Sequence, residues 1–150
     1  MQEIRVQRED FDTDAEVTRL CKGRVDIGAV VTFTGLVRDL SRGQSLQSLT
    51  LEHYPAMTKK SLRSIVAEAE QRWDLQGVCL IHRFGKLEPA DRIVLVAVTS
   101  AHRRDAFHAA QFIMDYLKVS APLWKKETTD VGERWLEARH DDERALDHWQ

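Results

Sequence analysis

Apolar residues recur every three to four positions in two long segments of the chain, and this spacing predicts two amphipathic helices. The first helix follows Thr58, which we predict to be its N-cap. The second runs from His102 to Lys118 and has to end before Pro122. The apolar positions are Leu62, Ile65, Val66, Ala69 and Trp73 in the first helix and Ala106, Phe107, Ala110, Ile113, Met114 and Leu117 in the second.

Between these helices, short runs of β-branched, aromatic and aliphatic residues predict strands. Gly85 and Pro89 suit the connection between two of the strands, and 130–132 suits a hairpin turn. The polar stretch 39–45, which contains Gly43, is predicted to be a loop. The predicted strands are Ile4–Gln7, Gly28–Val37, Leu46–His53, Val78–Phe84, Ile93–Thr99, Leu123–Thr128 and Arg134–Ala138.

The order of these elements determines the fold class. A third, shorter helix is predicted from a cap at Asp12 or Thr13 to about Lys22. The order β, α, β, β, α, β, β, α, β, β predicts an α+β fold with a mixed, mainly antiparallel sheet and packed helices. No repeat, linker or low-complexity tract divides the chain, so we expect a single domain over residues 1–150. The charged tail beyond Arg139 is expected to be loosely held or ordered by a partner.

Composition narrows the class of protein. With 150 residues, 43% of them hydrophobic and 31% charged, the chain suits one compact soluble domain. The formal net charge of −2 argues against a nucleic-acid binder with a wholly basic surface, although a local basic cluster is still compatible with this total. Cys21 and Cys79 form no zinc-ligand motif and are expected to be reduced. Since no leader peptide or apolar stretch of membrane-spanning length is found, we predict a cytoplasmic protein.

The junction VTSAHRR, residues 98–104, is the strongest candidate for chemistry. A buried strand is predicted to end there, and a helix begins with His102, Arg103 and Arg104. Cations at this end oppose the helix dipole, because the free N–H groups already make the helix start positive. A bound anion would remove the conflict. The alternative is that these cations are solvated or paired with acids such as Asp105, and local sequence leaves both interpretations open.

A second basic concentration is DYLKVSAPLWKKE, residues 115–127. Lysine at the end of a helix is favourable by itself, so local sequence favours a structural role for Lys118. On a strand, Lys125 and Glu127 share one face, while Lys126 and Trp124 share the other. If Lys118, Lys125 and an arginine converge, their repulsion lowers a lysine pKa, whereas a bound phosphate raises it again.

Other motifs give weaker indications. Arg38 follows a strand at the mouth of the 39–45 loop, where it is either a solubilising end residue or an anion clamp. His53 has no second metal ligand at a suitable spacing, which favours a structural role. Ser100 and His102 lack a nucleophile elbow and are too close in sequence to form the usual hydrolase pair.

The segments GAVVTFTGLVR, LTLEHYPAMT, VTSAHR, FIMDYLK and APLWKKE, in this order, resemble the large subunit of molybdopterin synthase. The resemblance covers residues 26–139, about three quarters of the chain. It implies a fold similar to an α/β-hammerhead. It also implies conversion of cyclic pyranopterin monophosphate (precursor Z) into molybdopterin, with sulfur from the thiocarboxylated Gly-Gly terminus of a small ubiquitin-like subunit. No metal or organic cofactor is implied for this sulfur transfer.

The resemblance also implies a site. In it, Lys118 and Lys125 are the catalytic residues, and substrate is bound by a wider set of side chains and backbone groups. Large subunits of this family pair as a homodimer within a heterotetramer, so His102 and Arg103 are candidates to serve the neighbour's site. The substrate-binding residues implied are Leu36, Val37, Arg38, His102, Arg103, Lys118, Lys125, Lys126 and Glu127.

The sequence departs from the family pattern in two places, and two alternative functions were considered. The loop after Arg38 reads DLSRGQ, where the family often has asparagine and histidine, and Lys126 stands where arginine is common. A non-catalytic scaffold could use the same pocket to bind a phosphate ligand. A binder of single-stranded RNA would need an exposed platform of tryptophans, and we predict packing roles for Trp73 and Trp135.

Overall fold

The computed structural model describes residues 1–41, 43–121, 123–136 and 144–150. Its helices and strands follow the predicted order, with two further short strands and a terminal 3₁₀ helix. The elements are β1 Gln2–Gln7, α1 Thr13–Cys21, β2 Ala29–Leu36, β3 Leu40–Ser41, β4 Gln44–His53, α2 Pro55–Arg72, β5 Gly77–Arg83, β6 Gly85–Leu87, β7 Arg92–Ser100, α3 Arg103–Ser120, β8 Leu123–Thr129, β9 Gly132–Leu136 and the 3₁₀ helix Leu146–Trp149.

A four-stranded sheet in the order β1-β5-β7-β2 forms the centre of the molecule. β1 runs parallel to β5, and the other neighbours are antiparallel. β5 and β7 are buried along almost their whole length, because helices cover both faces of the sheet. This explains their unbroken apolar runs.

The helices form a layer on each side of this sheet. α2 and α3 pack on one face, where residues such as Leu62, Val66, Phe112 and Ile113 join Val96 of β7 in the main core. α1 covers the other face, with Leu20 packed in a second cluster of buried residues. The core is thus a central sheet between one helix and a helix pair.

A second sheet has the order β3-β4-β8-β9, with β6 paired to β4. Its buried side packs around Leu49, Leu51 and Leu87, and Val37 at the end of β2 joins the same cluster. With the central sheet, it confirms an α+β fold with mainly antiparallel pairing.

Three local predictions were wrong. α2 begins at Pro55 with Tyr54 as its N-cap, and Thr58 is buried inside the helix. Proline fits the first helical position because that N–H has no helical partner. The 39–45 loop contains β3 and the start of β4, and β6 lies in the connection predicted around Gly85. Arg42 lies outside the described residues.

Part of the predicted tail is described. Residues 137–143 lie outside the described residues, but Trp149 packs against Trp73 and Phe112, with ring centroids 5.5 Å away in each case. Its indole N–H donates to Asp115 at 2.7 Å, and its carbonyl accepts from Arg72 at 3.0 Å. In the described part of the chain, the helices are too short or too polar to cross a membrane.

Candidate active site

A buried histidine marks the end of β5 at which the candidate lysines meet. His82 is 3% exposed, and its Nδ1 lies 2.8 Å from the carbonyl oxygen of Arg83. Because a carbonyl only accepts, Nδ1 carries the proton. Burial lowers the pKa of His82 to about 4, with smaller contributions from the charges of Lys125, Lys118 and His53, while the bond to Arg83 acts in the opposite direction. Lys118, Lys125 and His53 therefore lie within electrostatic range of one neutral imidazole.

Strand register explains this convergence. α3 leaves β7 at Ser100 and runs back across the sheet, so Lys118 lies toward the Arg92 end of β7. His82 pairs with Val94 at that same end. Lys125 pairs with Leu51 of β4, which pairs in turn with Gly85 just beyond β5. Elements distant in sequence thus place Lys118 and Lys125 toward the same end of the central sheet.

The alternation along β8 separates its charged residues. The partners of Lys125 and Glu127 are Leu51 and Leu49, both buried, so these residues face inward. Glu127 is itself buried and accepts a hydrogen bond from Nε of Arg134 at 3.2 Å. Its carboxylate is therefore held by an ion pair.

Lys126 points the other way. Its Nζ lies 3.8 Å from Glu133 and 5.6 Å from the ring centroid of Trp135, on the outer side of the second sheet. The structure consequently places Lys126 on the opposite face of β8 from Lys125 and Glu127.

Leu36, Val37 and Arg38 lie at the same end of the central sheet as Lys118, since Leu36 pairs with Arg92. Val37 is buried, and its backbone N–H donates to the carbonyl of Asp91 at 2.9 Å, while its carbonyl accepts from Ala90 at 2.8 Å. Leu36 and Arg38 are exposed on either side of it. These backbone bonds fix the strand end from which Arg38 projects.

His102 and Arg103 lie elsewhere. Both are exposed at the start of α3, where His102 is the N-cap and makes no side-chain capping bond. Asp105 instead accepts from the backbone N–H of Asp74 at 3.3 Å. At 1.5 Å per residue, Arg103 and Lys118 are about 22 Å apart along the helix. The structure does not bring these two parts of the expected site together within one chain.

Two residues near the lysines were not among the predicted site residues. His82 stands inside the apolar run of β5, and a lone histidine in a buried strand gives no functional signal. His53, weighed only as a metal ligand, lies 4.3 Å from Phe84 between ring centroids, and its buried Nδ1 has no hydrogen-bond partner among the described residues. Burial and then the charge of Arg8 lower the pKa of His53. Only their positions in the sheets, and not the local sequence, show that His53 and His82 lie near the lysines.

Another buried polar cluster lies under α1. Glu16 pairs with Arg5 and lies 3.3 Å from Nη1 of Arg19, and the thiol of Cys79 donates to Glu16 at 3.7 Å. Burial, followed by the charge of Glu16, raises the pKa of Cys79 to about 11. The thiol therefore stays protonated at neutral pH and is a poor nucleophile. Cys79 and Cys21 are both free.

A groove of about 450 Å³ between the outer sides of α2 and α3 is separate from the lysines. Ser61, Ser64 and Tyr116 line it, and neither Lys118 nor Lys125 does. The site described above is thus defined by its convergent charges rather than by this groove.

Comparison with known proteins identifies the family of the chain and supports its fold. The family model described as MoaE protein matches residues 6–120. The chain is 57% identical over 149 residues to the molybdopterin synthase catalytic subunit of Ralstonia nicotianae, covering 99% of this chain and 85% of the relative. It is 56% identical to that of Haemophilus influenzae over 98% of this chain and 97% of the relative. The solved structure of the molybdopterin biosynthesis MoaE protein from Burkholderia ambifaria superposes with a TM-score of 0.85 at 50% identity, covering 99% and 98% of the two chains.

Proposed function

The chain belongs to the MoaE protein family, and from this we propose that it is the large, catalytic subunit of a molybdopterin synthase. As such it is a sulfurtransferase of molybdenum cofactor biosynthesis that converts precursor Z to molybdopterin. The sulfur comes from the thiocarboxylated C-terminus of a small ubiquitin-like subunit. Two free cysteines suit a reducing cytoplasm as the place of this reaction.

The observation that carries the proposal is that the fold places Lys118 and Lys125 at the same end of the central sheet, around the buried end of β5. Arg38 lies at the same end of the central sheet and adds a planar donor that suits a phosphate. A cyclic phosphate on a pterin supplies the negative charge that such a cluster lacks. In this assignment Leu36 and Val37 contribute the backbone beside Arg38.

In the proposed chemistry, the thiocarboxylate sulfur attacks a side-chain carbon of the bound pterin, and a carbon–oxygen bond of that carbon breaks as the carbon–sulfur bond forms. Water then cleaves the acyl–sulfur bond, so the sulfur stays on the pterin and the small subunit leaves with an ordinary carboxylate. Lys118 assists the proton transfer or the opening of the cyclic phosphate, and Lys125 with Arg38 holds the phosphate and stabilises the developing charge. Glu127 contributes indirectly. Its ion pair with Arg134 of β9 holds β8 in position, with Lys125 on the inward face of the strand. Lys126 faces away, so its contribution to substrate binding is the weakest of the proposed set.

We assign His102 and Arg103 to the site of a second copy. In an antiparallel pair of α3 helices related by a two-fold axis near the exposed Gln111, Arg103 of each copy lies beside Lys118 of the other. Phe107, 59% exposed, lies between the helix start and this axis. The edge strand β2 exposes Phe33 on the face of the central sheet that α3 covers, since its cross-strand partner is Val96 of the main core. A homodimer formed there completes two sites at once.

The test mixes purified Lys118→Ala protein with thiocarboxylated small subunit and precursor Z. We expect molybdopterin formation to fall by at least about a hundredfold, since a group that acts in proton transfer contributes on that order. Lys22→Ala, an exposed lysine beyond α1, is the matched control and should react at the wild-type rate. A wild-type rate for Lys118→Ala would refute the assignment, and absence of turnover in the wild-type chain would favour a non-catalytic scaffold.

A further inference from the structure

The terminal 3₁₀ helix carries a tryptophan that packs in an aromatic cluster at the ends of α2 and α3. Trp149 contacts Trp73, His108 and Phe112, with ring centroids 5.5, 6.4 and 5.5 Å away. The cluster adjoins the main core, so Trp73 packs as predicted. Trp135, in contrast, is 55% exposed, and its expected packing role was wrong.

Contacts on several sides of Trp149 fix the direction of its indole N–H. Arg72 donates to the backbone carbonyl of Trp149 at 3.0 Å, and the same guanidinium lies 4.7 Å from the ring centroid of Phe112. His148 meets the indole edge to face, with centroids 4.5 Å apart. The indole N–H is thereby directed at one acceptor, the carboxylate of Asp115, at 2.7 Å.

Asp115 lies one helical turn before Lys118 on α3. Residues three apart on a helix are neighbours, and an acid at the first position attracts a lysine at the second. Asp115 is partly buried and Lys118 is exposed, yet no ion pair joins them among the described residues. The charge of Lys118 acts instead on His82 of the candidate site. Local sequence favours this pair, and the fold keeps the two charges apart.

The hydrogen bond from Trp149 explains the separation. A hydrogen bond to a carboxylate is stronger than one between neutral groups, whereas an exposed ion pair on a helix is weak. The indole N–H therefore outcompetes Lys118 for Asp115. The separation matters for chemistry, because a lysine paired with a carboxylate releases its proton less readily.

We propose that Trp149 is a positioning residue for the sulfur-transfer reaction: its indole N–H holds Asp115 away from Lys118 and leaves the lysine unpaired for the substrate. The inference rests on the proposed function, since that function gives Lys118 its role. It adds a task for the terminal 3₁₀ helix, which contacts α3 one turn away from the lysine.

The first experiment measures the rate at which acetic anhydride acetylates Lys118 at neutral pH, by mass spectrometry of the digested protein. Trp149→Phe keeps an aromatic ring in the cluster but has no N–H, so Asp115 is released to pair with Lys118. We expect acetylation of Lys118 to slow about two- to fivefold, the range for an exposed ion pair. Trp149→Phe combined with Asp115→Asn should restore the wild-type rate, because the released side chain then carries no charge.

Two controls separate this effect from loosened packing. Trp73→Phe removes another indole from the same cluster, one that makes no hydrogen bond to Asp115, and should leave the acetylation of Lys118 unchanged. Lys22, exposed beyond α1, is the internal control and should react equally in all variants. Thermal unfolding followed by circular dichroism checks that each variant is folded.

The second experiment measures molybdopterin formation with thiocarboxylated small subunit and precursor Z. Trp149→Phe should lower kcat by about two- to fivefold, because proton transfer by Lys118 is impaired. KM for precursor Z should stay within about twofold, since the proposal assigns the phosphate to Arg38 and Lys125. The double variant with Asp115→Asn should recover kcat, a rescue that a merely structural role of Trp149 does not produce.

The two experiments separate this inference from the proposed function. An unchanged acetylation rate in folded Trp149→Phe would overturn the inference, and so would a slower rate that Asp115→Asn fails to restore. Neither result would affect the proposed function. If the acetylation rate falls and is restored as expected, but the wild-type chain makes no molybdopterin, the separation of Asp115 from Lys118 stands and the proposed function fails.

Discussion

His82 shows how a single buried side chain can shape the electrostatics of the candidate site. Its imidazole is neutral at neutral pH because burial penalises the charged form and because Lys118 and Lys125 add like charges. A protonated histidine there would add a third positive charge beside the two lysines. Keeping it neutral leaves the cationic lysines less strongly repelled.

The neutral state of His82 predicts a pH dependence of stability. The pKa is about 4 in the folded chain and about 6.5 in the unfolded chain, so above pH 6.5 the histidine is neutral in both. As the pH falls from 6.5 to 4, the unfolded chain takes up the proton first, and the folded state loses about 3 kcal/mol. We expect the free energy of unfolding in urea to fall by this amount more in the wild type than in His82→Phe.

The control for this experiment is His148→Gln, which removes an exposed histidine at the end of the chain. Its unfolding free energy should follow the wild-type curve between pH 7 and pH 4. Parallel curves for the wild type and His82→Phe would show that His82 is not the titrating group. Because both variants retain the other acidic and basic groups, the difference between the curves isolates one residue.

At the residue scale, the sequence shows which charged residues are unusual for their position, but not which residues lie around them in the fold. Arg103 is unusual because a cation at a helix start opposes the helix dipole, and this can be recognised without a tertiary structure. A lysine at the end of a helix is favourable by itself, so the catalytic role proposed for Lys118 rests on the family resemblance. His82 gives no local signal, because only the fold shows that the charges of Lys118 and Lys125 lie near it.

At the scale of elements, the turn into α3 depends on a close approach of two backbones. Gly28 precedes β2, and its N–H donates to the carbonyl of Ser100 at 3.0 Å. A Cβ at Gly28 would overlap the carbonyl oxygen of Ala101, immediately before His102. The start of α3 is therefore positioned by a residue with no side chain.

Gly28→Ala tests this close approach. We expect the free energy of unfolding to fall by about 3 kcal/mol or more, because a backbone carbonyl cannot move aside as a side-chain tip can. Gly23→Ala is the control: its φ of +73° is strained for alanine, but nothing lies within 4 Å, so the loss should be about 1 kcal/mol. Equal losses in urea unfolding would refute a specific overlap at Ala101.

The type of an element was predictable where its apolar pattern repeats over many residues, whereas the residues at which elements begin and end were harder to predict. The 18-residue helices α2 and α3 repeat their apolar stripe over several turns, so both were found. Thr58 was chosen as a cap because its hydroxyl suits that role, yet the proline three residues earlier determines where the helix begins. β3 and β6 have two and three residues and depend on pairing with β4, which no local pattern shows.

At the scale of the whole molecule, the fold separates two groups of cations that the family resemblance combines in one site. Lys118, Lys125 and Arg38 lie at one end of the central sheet, and His102 and Arg103 lie at the other. A sequence resemblance transfers a set of residues without saying how many chains supply them. The length of α3 requires two chains, if all five residues contact one substrate.

Mixing two inactive variants tests this arrangement directly. If Arg103 acts in the partner's site, a dimer of one Lys118→Ala chain and one Arg103→Ala chain has one site with both defects and one intact site. Random mixing makes half of the dimers mixed, so activity should recover to about a quarter of the wild-type rate. The measurement is molybdopterin formation after the two proteins are unfolded and refolded together, with each variant refolded alone as a control. If both residues act within one chain, every site in every dimer carries a defect, and no recovery can occur.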